Sequence, residues 1–331
     1  MLKLHSSAIS DSSIGSQELT PRQLGLGARL SGLHSEWRTL VAAGITVVAW
    51  ASAFAGIRVG LEGYSPAHLA LLRYLVASVV LLIYAVATRM PLPRGRDVPG
   101  LAALGLVGIT VYNVALGYGE ISVPAATASF MIASAPMWMA LLARLFFGER
   151  LRGWGWVGIA VSFGGVTAIA LGKQGSLQFD SLALVVLAAA LAQSIYSLGQ
   201  KPFLSRYSAL QCTAYAIWAG TLFLLPFGGG LPGELQAAPL RMTAAIVYLG
   251  IVPGALGYVM WAYVLARVTA ARAGSFLYMV PPFALLIAWV WLHEVPTFVS
   301  ILGGLLVLAG VILVNTLGKK PRKLTPTRNS N

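Results

Sequence analysis

The chain has 331 residues, of which 57% are hydrophobic and 10% charged, with a net charge of +13 at pH 7. Because a soluble domain has about 25% charged residues, this composition predicts burial in a lipid bilayer. The basic residues are scattered between apolar runs, which argues against a nucleic-acid-binding domain. The single cysteine, Cys212, excludes an internal disulfide and a cysteine-based metal site.

Residues 1–39 precede the first apolar run, are rich in serine and carry charges of both signs. This composition predicts a disordered tail on the cytoplasmic side of the membrane. Residues 318–331 form a second polar tail, which is basic.

Ten apolar runs of spanning length lie between the tails. A helix needs about 20 residues to cross a hydrocarbon core about 30 Å thick. Backbone groups in lipid must also pair within their own segment, so each run predicts a transmembrane helix. The predicted helices cover residues 40–60, 66–88, 98–118, 124–147, 153–172, 180–200, 207–228, 241–263, 269–292 and 297–317.

Lysine and arginine are distributed unevenly between the two ends of these helices. If both termini are cytoplasmic, 19 of the 23 basic residues lie on the inner side. The four others are Arg58, Arg73, Lys173 and Arg241. This positive-inside asymmetry predicts cytoplasmic termini, and an even number of helices agrees with it.

The second half of the chain repeats the first. A shift of 145 residues aligns the region that starts at Tyr118 with the region that starts at Tyr263, with 12 identities in 49 positions. Two unrelated apolar helices would share apolar residues by composition alone, but these identities also include proline, glutamate and glycine. They include Pro136 with Pro281, Glu149 with Glu294, Gly158 with Gly303, and Gly165 with Gly310.

A repeat of five helices crosses the membrane an odd number of times, so its second copy enters from the opposite side. The sequence therefore predicts an all-α membrane protein with two inverted repeats, residues 40–173 and 180–317. In transporters, such repeats are related by a pseudo-two-fold axis in the membrane plane, and the substrate site lies at their interface.

Three segments carry a family resemblance: "VVAWASAFAGIRVGLEGYSPAHLALLRYLVA", "ASAPMWMALLARLFFGERL" and "MVPPFALLIAWVWLHE". With them, the chain resembles a ten-helix member of the drug/metabolite transporter superfamily, of the EamA-domain type. The most specific feature is the spacing from proline to glutamate in the fourth and ninth helices. The sequence departs from the pattern at Ala51 and at His293, where relatives usually have glycine.

The resemblance implies a basket of helices. Helices 1, 3, 4, 6, 8 and 9 would surround a central cavity, and helices 5 and 10 would lie further out. Small residues in helices 5 and 10 predict close packing of their backbones. These residues are Gly158, Gly164, Gly165, Gly303, Gly304 and Gly310.

Polar and aromatic side chains at helical spacing mark the predicted cavity. In the sixth helix, Gln193, Tyr196, Ser197 and Gln200 share one face, which would cost several kcal/mol if it faced lipid. Contact between helices is the alternative role for these side chains and the more common one for serine and tyrosine. The candidate substrate-binding residues are Trp50, Tyr112, Asn113, Ser134, Gln193, Tyr196, Ser197, Tyr258, Trp261 and Tyr278.

Arg73 lies inside the second predicted helix. Burying a charged side chain inside the membrane costs free energy. We expect it to pair with a backbone carbonyl or with Glu62, a structural role that we favour over contact with an anionic substrate group.

The sequence predicts a carrier rather than an enzyme. The four histidines do not cluster, and the chain has neither a nucleophile motif nor a phosphate loop. We therefore expect no catalytic residue, no metal site and no cofactor. An integral membrane enzyme would need paired carboxylates or a histidine cluster at the inner face, and the sequence lacks both.

We expect export of a small polar metabolite by alternating access through the cavity between the repeats. The substrate class, amino acids or related compounds, comes from the resemblance. A flippase or scramblase for a lipid-linked headgroup is the alternative. The predicted partners are the metabolite and the lipid bilayer of a bacterial inner membrane, and not nucleic acid. The sequence leaves open whether the carrier acts as a homodimer.

All ten acidic residues fall in tails, in loops or at the ends of predicted helices. Because proton-driven carriers usually hold a titratable group inside the membrane, this distribution predicts facilitated diffusion or exchange. Glu120, which follows the third predicted helix, is the residue that would overturn this prediction if it entered the cavity.

Overall fold

The computed structural model describes residues 21–148, 152–171, 180–268 and 276–317. Within these ranges, nine helices are long and apolar enough to cross a bilayer, and a tenth apolar helix is shorter. In chain order they are α1 (Pro21–Leu61), α2 (Pro66–Ala87), α3 (Gly95–Gly119), α4 (Ala125–Ile132 and Ala135–Phe147), α5 (Gly153–Leu171), α6 (Ser181–Gly199), α7 (Ala209–Leu224), α8 (Leu240–Leu265), α9 (Val280–Leu292) and α10 (Phe298–Thr316).

The first helix is longer than predicted. It begins at Pro21, so residues 21–39, which were predicted to be disordered, are helical. Proline suits the first position of a helix because its fixed φ angle and missing N–H are tolerated there, and no later proline interrupts the run before Leu61. Residues 1–20, the basic tail 318–331 and the first part of the predicted ninth helix, 269–275, lie outside the described residues.

Irregular features recur at equivalent positions of the two halves. A stretch of π-helix widens α3 at Leu106–Val111, and another widens α8 at Gly250–Leu256. A left-handed residue ends both α4 and α9: Gly148 with φ of 63° and His293 with φ of 55°. These pairs fit the 145-residue shift. His293 therefore takes a backbone conformation that favours glycine, as the family pattern implied.

Helices α5 and α10 pack closely through their glycines. A Cβ atom on Gly158 would lie 2.6 Å from the carbonyl oxygen of Gly310, and one on Gly165 would lie 2.5 Å from that of Gly303. The shift pairs Gly158 with Gly303 and Gly165 with Gly310, so each contact maps onto the other. Such an exchange is what a two-fold axis between the helices requires.

A side-chain hydrogen bond lies at the same interface. The Ser162 hydroxyl donates to the carbonyl oxygen of Val307 at 3.1 Å, and these two residues are themselves equivalent under the shift.

The chain is thus an all-α membrane protein of ten transmembrane helices, built as two inverted five-helix repeats. In the described part of the chain, α5 and α10 make their main contacts with each other and with α4, in agreement with the peripheral position that was expected.

Two of the six predicted packing glycines have other surroundings. A Cβ on Gly304 would meet the ring of Phe130 on α4 at 2.5 Å, so this residue packs α10 against α4. Gly164 has no neighbour within 4 Å of a built Cβ and is exposed. The prediction of close packing is wrong for Gly164 because it lies on the side of α5 that faces away from α10.

We predict opposite effects of alanine at two adjacent glycines. Gly165→Ala should lower thermal stability in detergent by about 1–3 kcal/mol, because the new methyl group overlaps the backbone of α10. Gly164→Ala should leave stability unchanged or raise it by up to about 1 kcal/mol through helix propensity. Equal unfolding temperatures for the two variants would contradict the two-fold contact.

Candidate functional site

Arg73 is buried inside α2 with 6% of its surface exposed. Its Nη1 donates to Oδ1 of Asn113 on α3 at 3.2 Å, and Asn113 Nδ2 donates to the carbonyl oxygen of Ile109 at 2.8 Å. The second bond orients the amide so that its oxygen faces the guanidinium. Arg73 Nε has no hydrogen-bond partner in the described part of the chain, so this arginine retains a donor for another group.

The sequence predicted that Arg73 pairs with Glu62 or with a backbone carbonyl, and the structure shows a different partner. Glu62 forms an ion pair with Arg241 at the rim of the bundle, and Arg73 bonds to an amide rather than to a backbone carbonyl.

Tyr74 lies beside Arg73, with the guanidinium 5.3 Å from the centre of its ring. Three further tyrosines, Tyr112, Tyr196 and Tyr258, lie on α3, α6 and α8. Helix α2 contacts α3 and α8, and α3 contacts α6, so these side chains come from adjacent helices of both repeats.

The π-helical stretch of α3 makes room for Tyr196. A Cβ on Gly108, within that stretch, would lie 2.2 Å from the tyrosine ring. A larger residue at position 108 would therefore displace Tyr196 from the cluster. Such π-bulges are frequent at functional sites.

Further polar atoms in α4 and α6 are buried without partners. Thr127 Oγ1, Trp138 Nε1 and Gln193 Oε1 have no hydrogen-bond partner among the described residues. A buried unpaired polar atom costs about 1–3 kcal/mol, and native proteins hold few of them. One of them, Gln193, shares α6 with Tyr196, and unpaired buried polar atoms are typical of a binding cavity.

Glu120 directly follows α3 and has no exposed surface. Neither carboxyl oxygen has a hydrogen-bond partner in the described structure. Burial raises the pKa of Glu120 well above its usual range, and the positive charge of Arg58 opposes this shift only in part. The chain therefore contains a buried carboxyl group beyond the end of α3, and facilitated diffusion or exchange stays a prediction.

Ion pairs and hydrogen bonds join the loops at the end of the bundle that was predicted to be outside. Arg58 Nε lies 3.0 Å from Glu294 Oε1, and the other oxygen of Glu294 accepts from the backbone N–H of Ala125 at 3.0 Å. His68 Nδ1 lies 2.7 Å from Glu234 Oε2. The first two contacts join the ends of α1 and α9 to the start of α4, and the third joins the start of α2 to the segment between α7 and α8.

An aromatic group joins α1 to α8. The ring centre of Trp50 lies 5.3 Å from that of Tyr258 and 5.5 Å from that of Trp261. Its Nε1 donates to the carbonyl oxygen of Pro253 at 3.2 Å, within the π-helical stretch of α8. Three of the candidate residues thus form one apolar wall beside the tyrosines.

Three candidates form hydrogen bonds with other groups of the protein. Ser134 and Ser197 donate to carbonyl oxygens of their own helices, those of Met131 and Gln193. Tyr278 accepts a hydrogen bond from Asn315 on α10 at 2.7 Å. The remaining candidates, Trp50, Tyr112, Asn113, Gln193, Tyr196, Tyr258 and Trp261, lie on helices that meet around Arg73.

Four residues of the cluster were absent from the predicted set. Tyr74 adjoins Arg73 in the chain and was overlooked because the arginine was assigned a structural role. Thr127 and Trp138 lie in a run of small and apolar residues that has no polar stripe. Glu120 directly follows the third predicted helix, and its place in the sequence does not reveal that its side chain is buried.

The EamA-like transporter family matches residues 37–171 and, a second time, residues 181–316. The chain belongs to this family. A probable terminal-alkyne amino-acid exporter of Streptantibioticus cattleyicolor is 46% identical to the chain, over 86% of the chain and 96% of that protein. As an EamA-like transporter, the chain is a multi-pass membrane protein.

Other EamA-like relatives agree over most of their length. The uncharacterized transporter YdfC of Bacillus subtilis is 41% identical, over 85% of this chain and 92% of its own. A probable amino-acid metabolite efflux pump of Escherichia coli is 26% identical, over 84% of this chain and 95% of its own. A protein of known crystal structure is 19% identical with a TM-score of 0.56, over 84% of this chain and 96% of that chain, which supports the fold alone.

We predict that Gln193→Ala reduces transport at unchanged abundance in the membrane. Loss of one hydrogen bond to a substrate, about 0.5–1.5 kcal/mol, should raise KM by about twofold to tenfold. Ile195→Ala is the control, because Ile195 lies on the same helix and is exposed at its surface. Intact transport together with a lower unfolding temperature for Gln193→Ala would identify this side chain as packing only.

Proposed function

We propose that the protein exports a small amino-acid-like metabolite through the cavity between its two repeats. The proposal rests mainly on Arg73, which is buried and bonds to Asn113. Its Nε has no hydrogen-bond partner among the described residues, and the same is true of the Tyr74 hydroxyl. A buried cation with free donors suits a carboxylate, because guanidinium and carboxylate form strong, directional hydrogen bonds.

The surroundings of Arg73 suggest how the remainder of the substrate binds. The tyrosine hydroxyls and the Gln193 amide offer hydrogen bonds to polar groups near the carboxylate. The aromatic group of Trp50, Tyr258 and Trp261 offers an apolar wall for a side chain. Relatives that are named as an amino-acid exporter and an amino-acid metabolite efflux pump support this substrate class.

We propose alternating access as the mechanism. The Arg58–Glu294 ion pair and its neighbours join the ends of α1 and α9 to the start of α4, and in this proposal they close one end of the bundle. Since the repeats are inverted, the equivalent contacts of the other repeat would close the opposite end in a second conformation. In this proposal the closed end is the extracellular one, both termini are cytoplasmic, and residues 40–173 and 180–317 move relative to each other in a bacterial inner membrane. The protein acts as a carrier without catalysis.

The test uses purified protein in proteoliposomes that are preloaded with propargylglycine, an amino acid with a terminal alkyne. We expect exchange of labelled propargylglycine, severalfold above empty liposomes, and its loss in Arg73→Gln at unchanged thermal stability. Arg241→Gln is the matched control, because Arg241 lies at the exposed rim. Movement of a labelled lipid without amino-acid exchange would contradict the proposal and favour the flippase alternative.

A further inference from the structure

Glu120 occupies a junction between several helices. It follows α3, and its backbone carbonyl accepts a hydrogen bond from Nη1 of Arg58 on α1. Glu294, beyond the end of α9, binds the first N–H of α4 through Ala125 and pairs with the same arginine. The Glu120 side chain is enclosed by this arrangement and has no exposed surface.

The charged groups around Glu120 are already engaged. Arg58 uses Nε for Glu294 and Nη1 for the carbonyl oxygens of Glu120 and Ile121. Arg73 on α2 donates to Asn113, and both arginines act on Glu120 only through space. Neither supplies a hydrogen bond to its carboxyl oxygens.

Within the described residues, the other neighbouring elements offer no neutralising charge. Glu294 adds a like charge near Glu120, and Tyr112 is the titratable neighbour on α3 itself. The first segment of α4, Ala125–Ile132, carries no titratable side chain. At the start of α6, the carboxylate of Asp180 caps the helix and accepts from Ser122.

An enclosed carboxylate without hydrogen bonds is unfavourable as a bare anion. It is stable when it carries a proton or when a mobile cation binds it. A proton and the ammonium group of an amino-acid-like substrate would use the same two oxygens, so one occupant excludes the other.

We propose that Glu120 is the proton-binding site of this carrier and couples the export of one substrate molecule to the inward movement of one proton. On the outer side, an O–H bond forms on Glu120 as the substrate ammonium leaves. On the inner side, the proton passes to water as the next ammonium binds. This inference rests on the proposed function for the substrate, while the protonation of Glu120 can be tested without one.

The transport test uses proteoliposomes with equal propargylglycine inside and outside, an acidic interior, and the membrane potential clamped by potassium and an ionophore. Protons leaving the interior should drive the probe inward. A proton activity tenfold higher inside permits up to about tenfold accumulation for one-to-one exchange, which is about 1.4 kcal/mol. A protonophore should abolish the accumulation.

The variants assign the coupling to one side chain. Glu120→Gln should reduce the accumulation ratio to one, whereas Glu62→Gln, a matched change at the exposed rim, should leave the ratio unchanged. Wild-type protein that equilibrates the probe without accumulating it would overturn the coupling and leave the proposed function standing. Accumulation that persists in Glu120→Gln would overturn the assignment to Glu120.

Infrared spectroscopy of the solubilised protein separates the two proposals. We expect a protonated carboxyl band at neutral pH that Glu120→Gln removes and Glu62→Gln retains. If neither the wild-type protein nor any variant transports the probe, the carboxyl band still tests whether Glu120 binds a proton. Transport failure with the band present would count against the proposed substrate only, and absence of the band would overturn the proton site.

Discussion

The rest of the structure depends on how the chain accommodates polar groups inside an apolar bundle. Lipid offers no hydrogen bonds, so polar side chains must pair with one another, with backbone groups or with the contents of a cavity. Most do so here: serines and threonines bond to helix carbonyls, and Asn113 bonds to Arg73 and to Ile109. Among the described residues, the polar atoms that remain unpaired come from α2, α4 and α6 and from Glu120, which follows α3. In the proposed function, these atoms are the ones that bind the substrate.

In the proposed mechanism, inverted symmetry allows such a centre to face either side of the membrane in turn. The glycine contacts of α5 and α10 exchange under the 145-residue shift, and the π-helical stretches of α3 and α8 flank the centre at equivalent positions. Each stretch serves a different purpose: Gly108 admits Tyr196, whereas the carbonyl oxygen of Pro253 holds Trp50. The two halves therefore share a backbone plan and differ in the side chains that they bring to the cavity.

Periodicity and composition predicted much of this fold. The ten helices, the repeat, and the packing of α5 against α10 follow from run length, the spacing of glycines and the alignment of Pro136 with Pro281. Contacts between distant segments escaped prediction. Whether Arg73 meets Glu62 or Asn113, and whether Glu120 ends in water or in the interior, depends on how α1, α3 and α9 pack. The local sequence pattern carries no information about that packing. Tyr278 is a further example, because its hydroxyl accepts a hydrogen bond from Asn315 on α10.

The most direct test of the central claim is the reactivity of a single thiol placed in the cluster. In a Cys212→Ser background, Gln193→Cys should react with a membrane-impermeant thiol reagent from at least one side of the membrane, and propargylglycine should slow the reaction. Ala189→Cys, on the same helix but fully buried in the apolar core, provides the matched control and should stay unreactive. Equal, negligible labelling at both positions would contradict the account, because the cluster would then be sealed packing rather than a substrate cavity.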